Sequence, residues 1–552
     1  MTNDSDRTRW PLPKPGSGPI LLLILALAAV GLALYQTRFG PGASGDSTSY
    51  LMGAHNLMAG NGYSRYSGGY ELKPITGFPP LYSIVLSLPI GLGVDPYQAG
   101  RWINAILFGL NLLVVGLIVR RLSSSWVAAI LSAGLVATQP EQFLWHTWVM
   151  SEPLFTCLML LSLGAILRLQ RADRTLGWWT VLAGILVASA TLTRLVGASL
   201  LLAGGLWLLL ASKGAWRRRL LRGAAFALIA GLPVLAWLVY AAGDTTGIAN
   251  RQLTFHGIDQ DLVRLFSAEL SSWFVPHEVP LPTMVRAGLA ILLAVGATLW
   301  LVWRRMAPEA VEQRTASSPS VIRRLGVSDP SWLLLLTIAA YGLVLAVNSL
   351  FLDASTSPSA VPRYLAPLFV IVVIFFASSI PPAIRQAGSI KWPVYAVLAY
   401  AVALMAIYGW QSARLLSDPV SAIGYTGYRY TWPEFTAALQ TIDQQRPILS
   451  NNPELVYVLA GRPAYVRPIR FDQYQQAFRE DYEEQMAFAE NLLTEGALLI
   501  VFHPVEEADQ AVIERAGLQP VEVFPDATIL ASAPGETDWN RVARAWGASG
   551  VR

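Results

Sequence analysis

The sequence predicts a polytopic all-α membrane domain followed by a small C-terminal α/β domain, and three observations carry that prediction. Of the 552 residues, 54% are hydrophobic and only 14% charged, where soluble domains carry about 25% charged residues. Apolar runs of bilayer-spanning length recur between residues 19 and 411. A helical span takes about 20 such residues, because lipid leaves every backbone polar group to be satisfied internally. From residue 412 onward the composition is that of an ordinary soluble mixture.

In chain order, residues 1–18 form a basic N-terminal tail. No small-residue cleavage site follows at signal-peptide distance, so the first apolar run is expected to stay as an uncleaved span. Runs at 19–37, 102–119, 126–143, 153–167, 177–193, 195–211, 224–242, 284–303, 331–352, 364–380 and 393–411 give about eleven transmembrane helices. Basic residues set their orientation: Arg7, Arg9 and Lys14; Arg120 and Arg121; Arg168, Arg171 and Arg174; Lys213, Arg217, Arg218, Arg219 and Arg222; Arg304, Arg305, Arg323 and Arg324; Arg385 and Lys391. These loops belong to the cytoplasmic side. The alternate loops 38–101, 243–283 and 353–363 are poorer in basic residues and face outward. An odd number of spans then puts residues 412–552 outside as well.

The same clustering accounts for the net charge of +4 without a nucleic-acid partner. The single cysteine, Cys157, excludes an intrachain disulfide. Residues 306–330, rich in Ser, Pro and Arg, form a flexible cytoplasmic linker. In the tail domain, "RPILSN", "RPAYVRP", "ALLIVFHP" and "VEVFPDATILAS" alternate as strands with the helical "WPEFTAALQTID", "PELVYVLAG", "DYEEQMAFAENLLTEG" and "EEADQAVIERAG". It has no glycine-rich phosphate loop, so no nucleotide site is expected there.

The first outer loop opens with "GDSTSYLMGAHNLMAGNGY", residues 45–63. Tyr50, Leu51, Ala54, Leu57 and Met58 fall on one helical face and Gly60 and Gly62 end it, which predicts an interfacial amphipathic helix. Asp46 or Ser47 stands at its N-cap, so Asp46 is either a cap or an acid with chemical work. "GFPPLYSIVLSLP" follows at 77–89 as a proline-stiffened re-entry toward the membrane. Glu141, His146 and Glu152 lie where the third run meets the fourth, Arg194 at the outer end of a tight helix pair, and Arg363 at the mouth of the tenth run. Ionisable residues with no topological role thus converge on one leaflet, and the midspan positions are nearly free of them.

The order of "DSTSYLMGAHNLMAGNGY", "FPPLYSIVLSLP", "SEPLF", "LTRLVG" and "RYLAPL" resembles the GT-C superfamily of polytopic glycosyltransferases. It is most similar to the bacterial family 39-like group, related to protein O-mannosyltransferases and lipid A aminoarabinose transferases. The resemblance covers residues 19–380, and "LSNNPELVYVLAGRPAYV" resembles the small periplasmic domain that some members carry. It implies inverting transfer of a sugar from a polyprenyl-phosphate carrier to a hydroxyl of a protein, lipid or glycan acceptor on the outer face of the plasma membrane. It also implies that Asp46 is the base. Many relatives have a second acid next, where this chain has Ser47.

A lipid phosphate leaves without protonation, so such chemistry needs one base, and cations for the departing charge. Arg363, Arg194, Arg101 and Lys73 are the outer-side candidates. Arg363 has the alternative of snorkelling at the interface and Arg194 that of terminating a helix pair. Glu152 either orients Asp46 or the acceptor, or sits in a first helical turn where the dipole favours an acid. Tyr50, Tyr82, His146 and Tyr364 are expected to line the site. His146 with Glu141 or Glu152 falls short of a metal signature, and "DQD" at 259–261 reads as the first turn of a further interfacial helix. No cofactor is expected, and a divalent metal has little support. The competing classes are a transporter or flippase of a lipid-linked solute, and a non-catalytic envelope scaffold. Transporters favour midplane charges and inverted repeats, neither of which this sequence shows.

Overall fold

The computed structural model describes residues 16–66, 68–172, 177–212, 214–242, 255, 257, 260–306, 329–351, 360–386, 392–472 and 477–532. Arg7, Arg9, Lys14, Arg174, Lys213, Asp259, Arg323, Arg324, Lys391 and linker residues 307–328 lie outside the described residues. In order, the membrane part contains α1 (Ser17–Gln36), α2 (Gly45–Met58), α3 (Leu81–Gly91), α4 (Pro96–Ser123), α5 (Trp126–Thr138), α6 (Pro140–Thr147), α7 (Glu152–Arg171) and α8 (Trp178–Thr193). It continues with α9 (Ala198–Ala211), α10 (Trp216–Ala242), α11 (Gln260–Ser272), α12 (Thr283–Met306), α13 (Pro330–Phe351), α14 (Ala360–Gln386) and α15 (Trp392–Ser417).

Among the described residues seven helices are long and apolar enough to cross a membrane alone: α1, α4, α7, α10, α13, α14 and α15. The other apolar runs form shorter helices, α5, α8, α9 and the apolar part of α12. The run at 126–143 divides into α5 and α6, because Pro140 cannot continue a helix and holds Gln139 extended at ψ 125°. Gln139 then caps α6 through its side chain to the Gln142 amide, 2.6 Å away.

One core joins these helices. Phe108 and Leu112 of α4, Phe155 and Met159 of α7, Trp207 of α9 and Val370 of α14 are all buried in it. Helix α1 turns a narrow stripe inward, Leu22, Ala26, Ala29 and Ala33, and its small residues let it approach α4 closely. Its other faces leave Ile20 and Leu27 about 60% exposed, as a lipid-facing helix requires.

The helix expected after Asp46 is present, and it is covered on every face rather than on one apolar face alone. In α2 every residue from Ser47 to Ala54 is buried, enclosed by α3, α4 and the C-terminal domain. The cap is also reassigned. Ser44 is the N-cap, and Ser47 Oγ accepts the Ser44 amide at 3.0 Å to close a capping box. Asp46 lies inside the first turn, where the dipole favours a carboxylate, and is freed from capping. Replacing the N-cap Ser44 with Ala should destabilise the protein by about 0.5–2 kcal/mol, the usual worth of such a cap, read as a lowered Tm at unaltered donor affinity.

The C-terminal part is a five-stranded sheet of order β4-β3-β7-β9-β8. Its strands are β3 (Ile448–Ser450), β4 (Tyr465–Val466), β7 (Leu498–Phe502), β8 (Leu518–Val523) and β9 (Ala527–Ser532). Two small hairpins complete the numbering: β1 (Ser64–Tyr66) with β2 (Leu72–Pro74), and β5 (Phe471–Asp472) with β6 (Ala477–Phe478). Strands β4, β3 and β7 run parallel, and β9 and β8 close the sheet antiparallel. The segment "VEVFPDATILAS" is the β8–β9 hairpin rather than one strand.

Helices α16 (Pro433–Thr441) and α17 (Pro453–Ala460) pack on one face of the sheet, α18 (Tyr482–Thr494) and α19 (Glu507–Arg515) on the other. Alternation sorts β7 accordingly: Leu498, Ile500 and Phe502 join the first face, Leu499 and Val501 the second. Being buried on both faces, "LLIVF" is a continuous apolar run.

The sheet domain is stitched to the membrane part beside Asp46. Tyr425 donates its amide to Ala43 O, Thr426 Oγ1 donates to Pro41 O and Trp148 Nε1 donates to Ala422 O. Gly424 makes this possible. It has φ +57°, and a Cβ there would stand 2.6 Å from both Ala43 O and the Trp148 ring.

Candidate active site

Four charged side chains from four separate elements meet at one end of the helix bundle. Arg363 Nη1 donates to Asp46 Oδ2 at 2.6 Å, and Arg363 Nε lies 3.1 Å from Glu152 Oε1. Arg194 Nη1 donates to that same Glu152 oxygen and lies 3.3 Å from Ser151 Oγ. The order Asp46, Arg363, Glu152, Arg194 alternates in sign and sums to zero. Glu152 is almost wholly enclosed, at 3% side-chain exposure, whereas Asp46 keeps 29%. The acid at the open end is therefore the one that an incoming molecule can reach.

Local sequence explains how each group is held. Ser44 and Ser47 finish the start of α2, leaving the Asp46 carboxylate to Arg363. Glu152 opens α7 ahead of Pro153, a residue suited to the first turn. Arg194 occupies an extended link, φ −150°, after α8. The chain turns back at Gly197, where a Cβ would stand 2.6 Å from the Thr191 amide nitrogen. Arg363 sits in the first turn of α14, where the dipole disfavours a cation. Two carboxylates offset that penalty.

Tyrosines floor the cluster. The Arg194 and Arg363 guanidinium carbons lie 5.9 and 5.4 Å from the Tyr364 ring centroid, and Tyr341 OH donates to Tyr364 O at 2.8 Å. Tyr50 OH pairs with Ser151 Oγ at 3.0 Å. Burial pushes the Tyr50 phenol well above its ordinary value, with Asp46 and Glu152 adding to the shift, so it remains a neutral partner. Tyr82 is fully buried and meets Tyr50 edge-to-face at 5.1 Å. At Arg194, burial works to lower the pKa and the Glu152 carboxylate overcomes it, leaving the group raised. Among the described residues, Glu152 Oε2 is buried without a hydrogen-bond partner, a sign that the site has polar capacity to spare.

The structure thus brings together Asp46, Glu152, Arg194 and Arg363, with Tyr50, Tyr82 and Tyr364 around them. Of the other predicted residues, Arg101 and His146 take partners elsewhere and Lys73 is exposed. Arg101 binds Thr37 Oγ1 at 3.0 Å and Leu34 O at 2.9 Å, tying α4 to the end of α1. Lys73 stands on the exposed strand β2 opposite Arg65. His146 is buried against Phe108, with Asn111 Nδ2 at 3.1 Å and Gln142 O at 2.5 Å, a packed histidine. Among the described residues no group of three or more His, Cys, Asp or Glu could hold a metal ion. Asp261, from "DQD", pairs on the surface with Arg264.

Sequence reasoning missed three contributors. Ser151 bridges Tyr50 and Arg194, and lay unremarked beside Glu152 in "SEPLF". Tyr425 and Asn452 of the sheet domain dock onto the segment leading to Asp46: the Tyr425 amide donates to Ala43 O at 3.0 Å and Asn452 Nδ2 donates to Tyr425 OH at 3.3 Å, and burial first, with Asp46 adding to it, raises the Tyr425 pKa. No sequence signal joins positions so far apart.

This helix bundle has the GT-C architecture. The solved ArnT from Cupriavidus metallidurans bound to undecaprenyl phosphate matches with a TM-score of 0.53 at 13% identity, over 94% of this chain and 99% of that one. The archaeal oligosaccharyltransferase AglB from Archaeoglobus fulgidus, in complex with an inhibitory peptide and a dolichol-phosphate, matches with a TM-score of 0.51 at 13% identity. That match covers 90% of this chain and 71% of AglB. Residues 54–249 match the family model described as dolichyl-phosphate-mannose-protein mannosyltransferase. The matched stretch holds Glu152 and Arg194, while Asp46 and Arg363 lie outside it. No curated protein matches the sequence directly. The chain is a multi-pass membrane protein with the GT-C fold, as its sequence resemblance implied.

Proposed function

We propose that this protein is a glycosyltransferase that moves a sugar from a polyprenyl-phosphate carrier to an acceptor hydroxyl, with inversion, at the outer face of the plasma membrane. The observation that carries this reading is the alternating array of Asp46, Arg363, Glu152 and Arg194 at one membrane boundary. The acceptor oxygen attacks the anomeric carbon while the bond from that carbon to the phosphate oxygen breaks. The acceptor's proton passes to Asp46, and the electron pair leaves with the phosphate, whose added negative charge falls to the arginines. Each guanidinium has five N–H donors, so both retain donors after meeting their carboxylates. Glu152 holds the two arginines in place.

The lipid tail of such a donor needs an apolar seat. A cleft of about 650 Å³ lies between α5, α14 and α15, lined by Trp273, Phe369, Phe376 and Tyr408. Phe369 is six residues beyond Arg363 on α14, about 9 Å along the axis at 1.5 Å per residue. A phosphate held at the arginines would have its prenyl chain alongside α14 in this cleft. The two comparison structures carry a polyprenyl phosphate and a dolichol-phosphate, which supports a donor of this class. The arginine-rich ends of α4, α7 and α10 then face the cytoplasm, as would the N-terminus, and the sheet domain lies outside.

Purified protein in lipid nanodiscs, given polyprenyl-phosphate sugars and an envelope extract as acceptor, should release polyprenyl phosphate in step with glycosylated product. Movement of the intact lipid-linked sugar between leaflets without bond breakage would contradict the transferase reading.

A further inference from the structure

We propose that the C-terminal domain carries a second binding site, for a neutral oligosaccharide portion of the acceptor, in the crevice at the carboxyl ends of β3 and β7. The inference rests on the transferase reading for its purpose but stands on separate geometry. The helix after β3, α17, covers one face of the sheet, and the helix after β7, α19, covers the other. Two parallel neighbours whose following helices part in this way leave a crevice between their ends, the place where open α/β sheets bind ligands. Here that crevice is a cavity of about 630 Å³ lined by Asn451, Arg467, Arg470, Tyr482, Glu506 and Glu507, within the ~300–1,000 Å³ range of small-ligand pockets.

Its chemistry selects the ligand. Two arginines face two glutamates, so the lining has no surplus charge for a phosphate or a polyanion. Arg467 is already committed, pairing with Glu506 and, at 2.9 Å, with the wholly buried Asp509. Asp509 in turn accepts from Asn451 Nδ2 at 3.3 Å, and the Asn451 side-chain oxygen accepts the Phe502 amide at 3.0 Å. Planar donors and acceptors held rigid by one another, with the Tyr482 ring beside them, suit a sugar's hydroxyls and its C–H face. They require no ordering when the ligand arrives.

Position selects its role. Consecutive residues of one turn lead to the two sites: Asn451 lines this cavity, while Asn452 donates to the hydroxyl of Tyr425, whose amide donates to Ala43 O, three residues before Asp46. Next along, Glu454 Cγ lies 3.8 Å from where a Cβ on Gly45 would stand. A glycan gripped in the crevice would present its end toward Asp46 across that turn.

The test uses the full-length protein in nanodiscs and a panel of neutral oligosaccharides of differing sugar and linkage, with a polyuronate, inorganic phosphate and an unglycosylated peptide as comparisons. Binding is read by saturation-transfer NMR and titration, for wild type, Tyr482→Ala, Arg470→Ala and Asp46→Asn. At least one neutral oligosaccharide should bind, with Kd raised tenfold or more by Tyr482→Ala and severalfold by the exposed Arg470→Ala, and unchanged by Asp46→Asn. As acceptor, that saccharide should show a raised KM and an unchanged kcat in Arg470→Ala. Binding by none of the panel, binding only of polyuronate, phosphate or peptide, or binding indifferent to both crevice substitutions would overturn the proposal. Transfer without crevice binding sinks this inference alone, and crevice binding without transfer sinks the transferase reading alone.

Discussion

Arg363→Ala should lower kcat/KM for the lipid donor by three orders of magnitude or more, with most of the loss in donor affinity. Among the described residues Arg363 pairs with both carboxylates, Asp46 and Glu152, and it faces the position proposed for the departing phosphate. Loss of a single positioned donor to a developing negative charge costs about 10²–10³ in rate, and a charge-assisted bidentate contact adds to that. Stability should fall as well. Breaking a buried ion pair costs about 3–5 kcal/mol, but this loss should be smaller, because Arg194 continues to neutralise Glu152 and Asp46 is 29% exposed. Arg363→Lys should recover the Tm without recovering the rate, since an ammonium cannot fork between two carboxylates and a phosphate. Donor titration, steady-state kinetics and a thermal melt of the three proteins check this. A donor KM unmoved in both variants would remove Arg363 from the phosphate site.

Asp46→Asn should divide the effects differently. The amide keeps the shape of the carboxylate and its oxygen can still accept from Arg363, so folding and donor binding should be nearly unaltered. It cannot take a proton. General-base catalysis is worth about 10²–10⁴ in rate, and kcat should fall by that factor with donor KM close to wild type. If kcat and donor KM moved together, Asp46 would belong to donor binding instead.

The sequence made part of this site visible for a physical reason. Ionisable groups are expensive near lipid, so Asp46, Glu152, Arg194 and Arg363 stood out once the basic loops had been assigned to one side. Their pairing was not visible, because side chains on four elements meet only through the packing of α2, α7, α8 and α14. The same limit explains Arg101 and Lys73. Both are cations that the sequence assigns to the same side as Arg363, yet Arg101 is taken up by Thr37 and Leu34, and Lys73 stands on the exposed strand β2. Ser47 shows the opposite case. The resemblance sets it where many relatives have a second acid, whereas in the fold its Oγ accepts the Ser44 amide and closes the capping box that leaves Asp46 free. The sheet domain was legible from its alternation except at "VEVFPDATILAS", expected as one strand where the fold makes the β8–β9 hairpin. Its docking beside Asp46 was not, since Thr426 reaches Pro41 across 385 positions.

The account's central claim is a single displacement at the anomeric carbon, assisted by one carboxylate. It is tested most directly by the linkage of the product. Nanodisc protein supplied with a polyprenyl-phosphate sugar of known anomeric configuration, and followed by NMR through one turnover, should yield the opposite configuration in the acceptor linkage, while Asp46→Asn forms almost none in the same time. A product that retains the donor's configuration, or an equal single-turnover rate in Asp46→Asn, would contradict it.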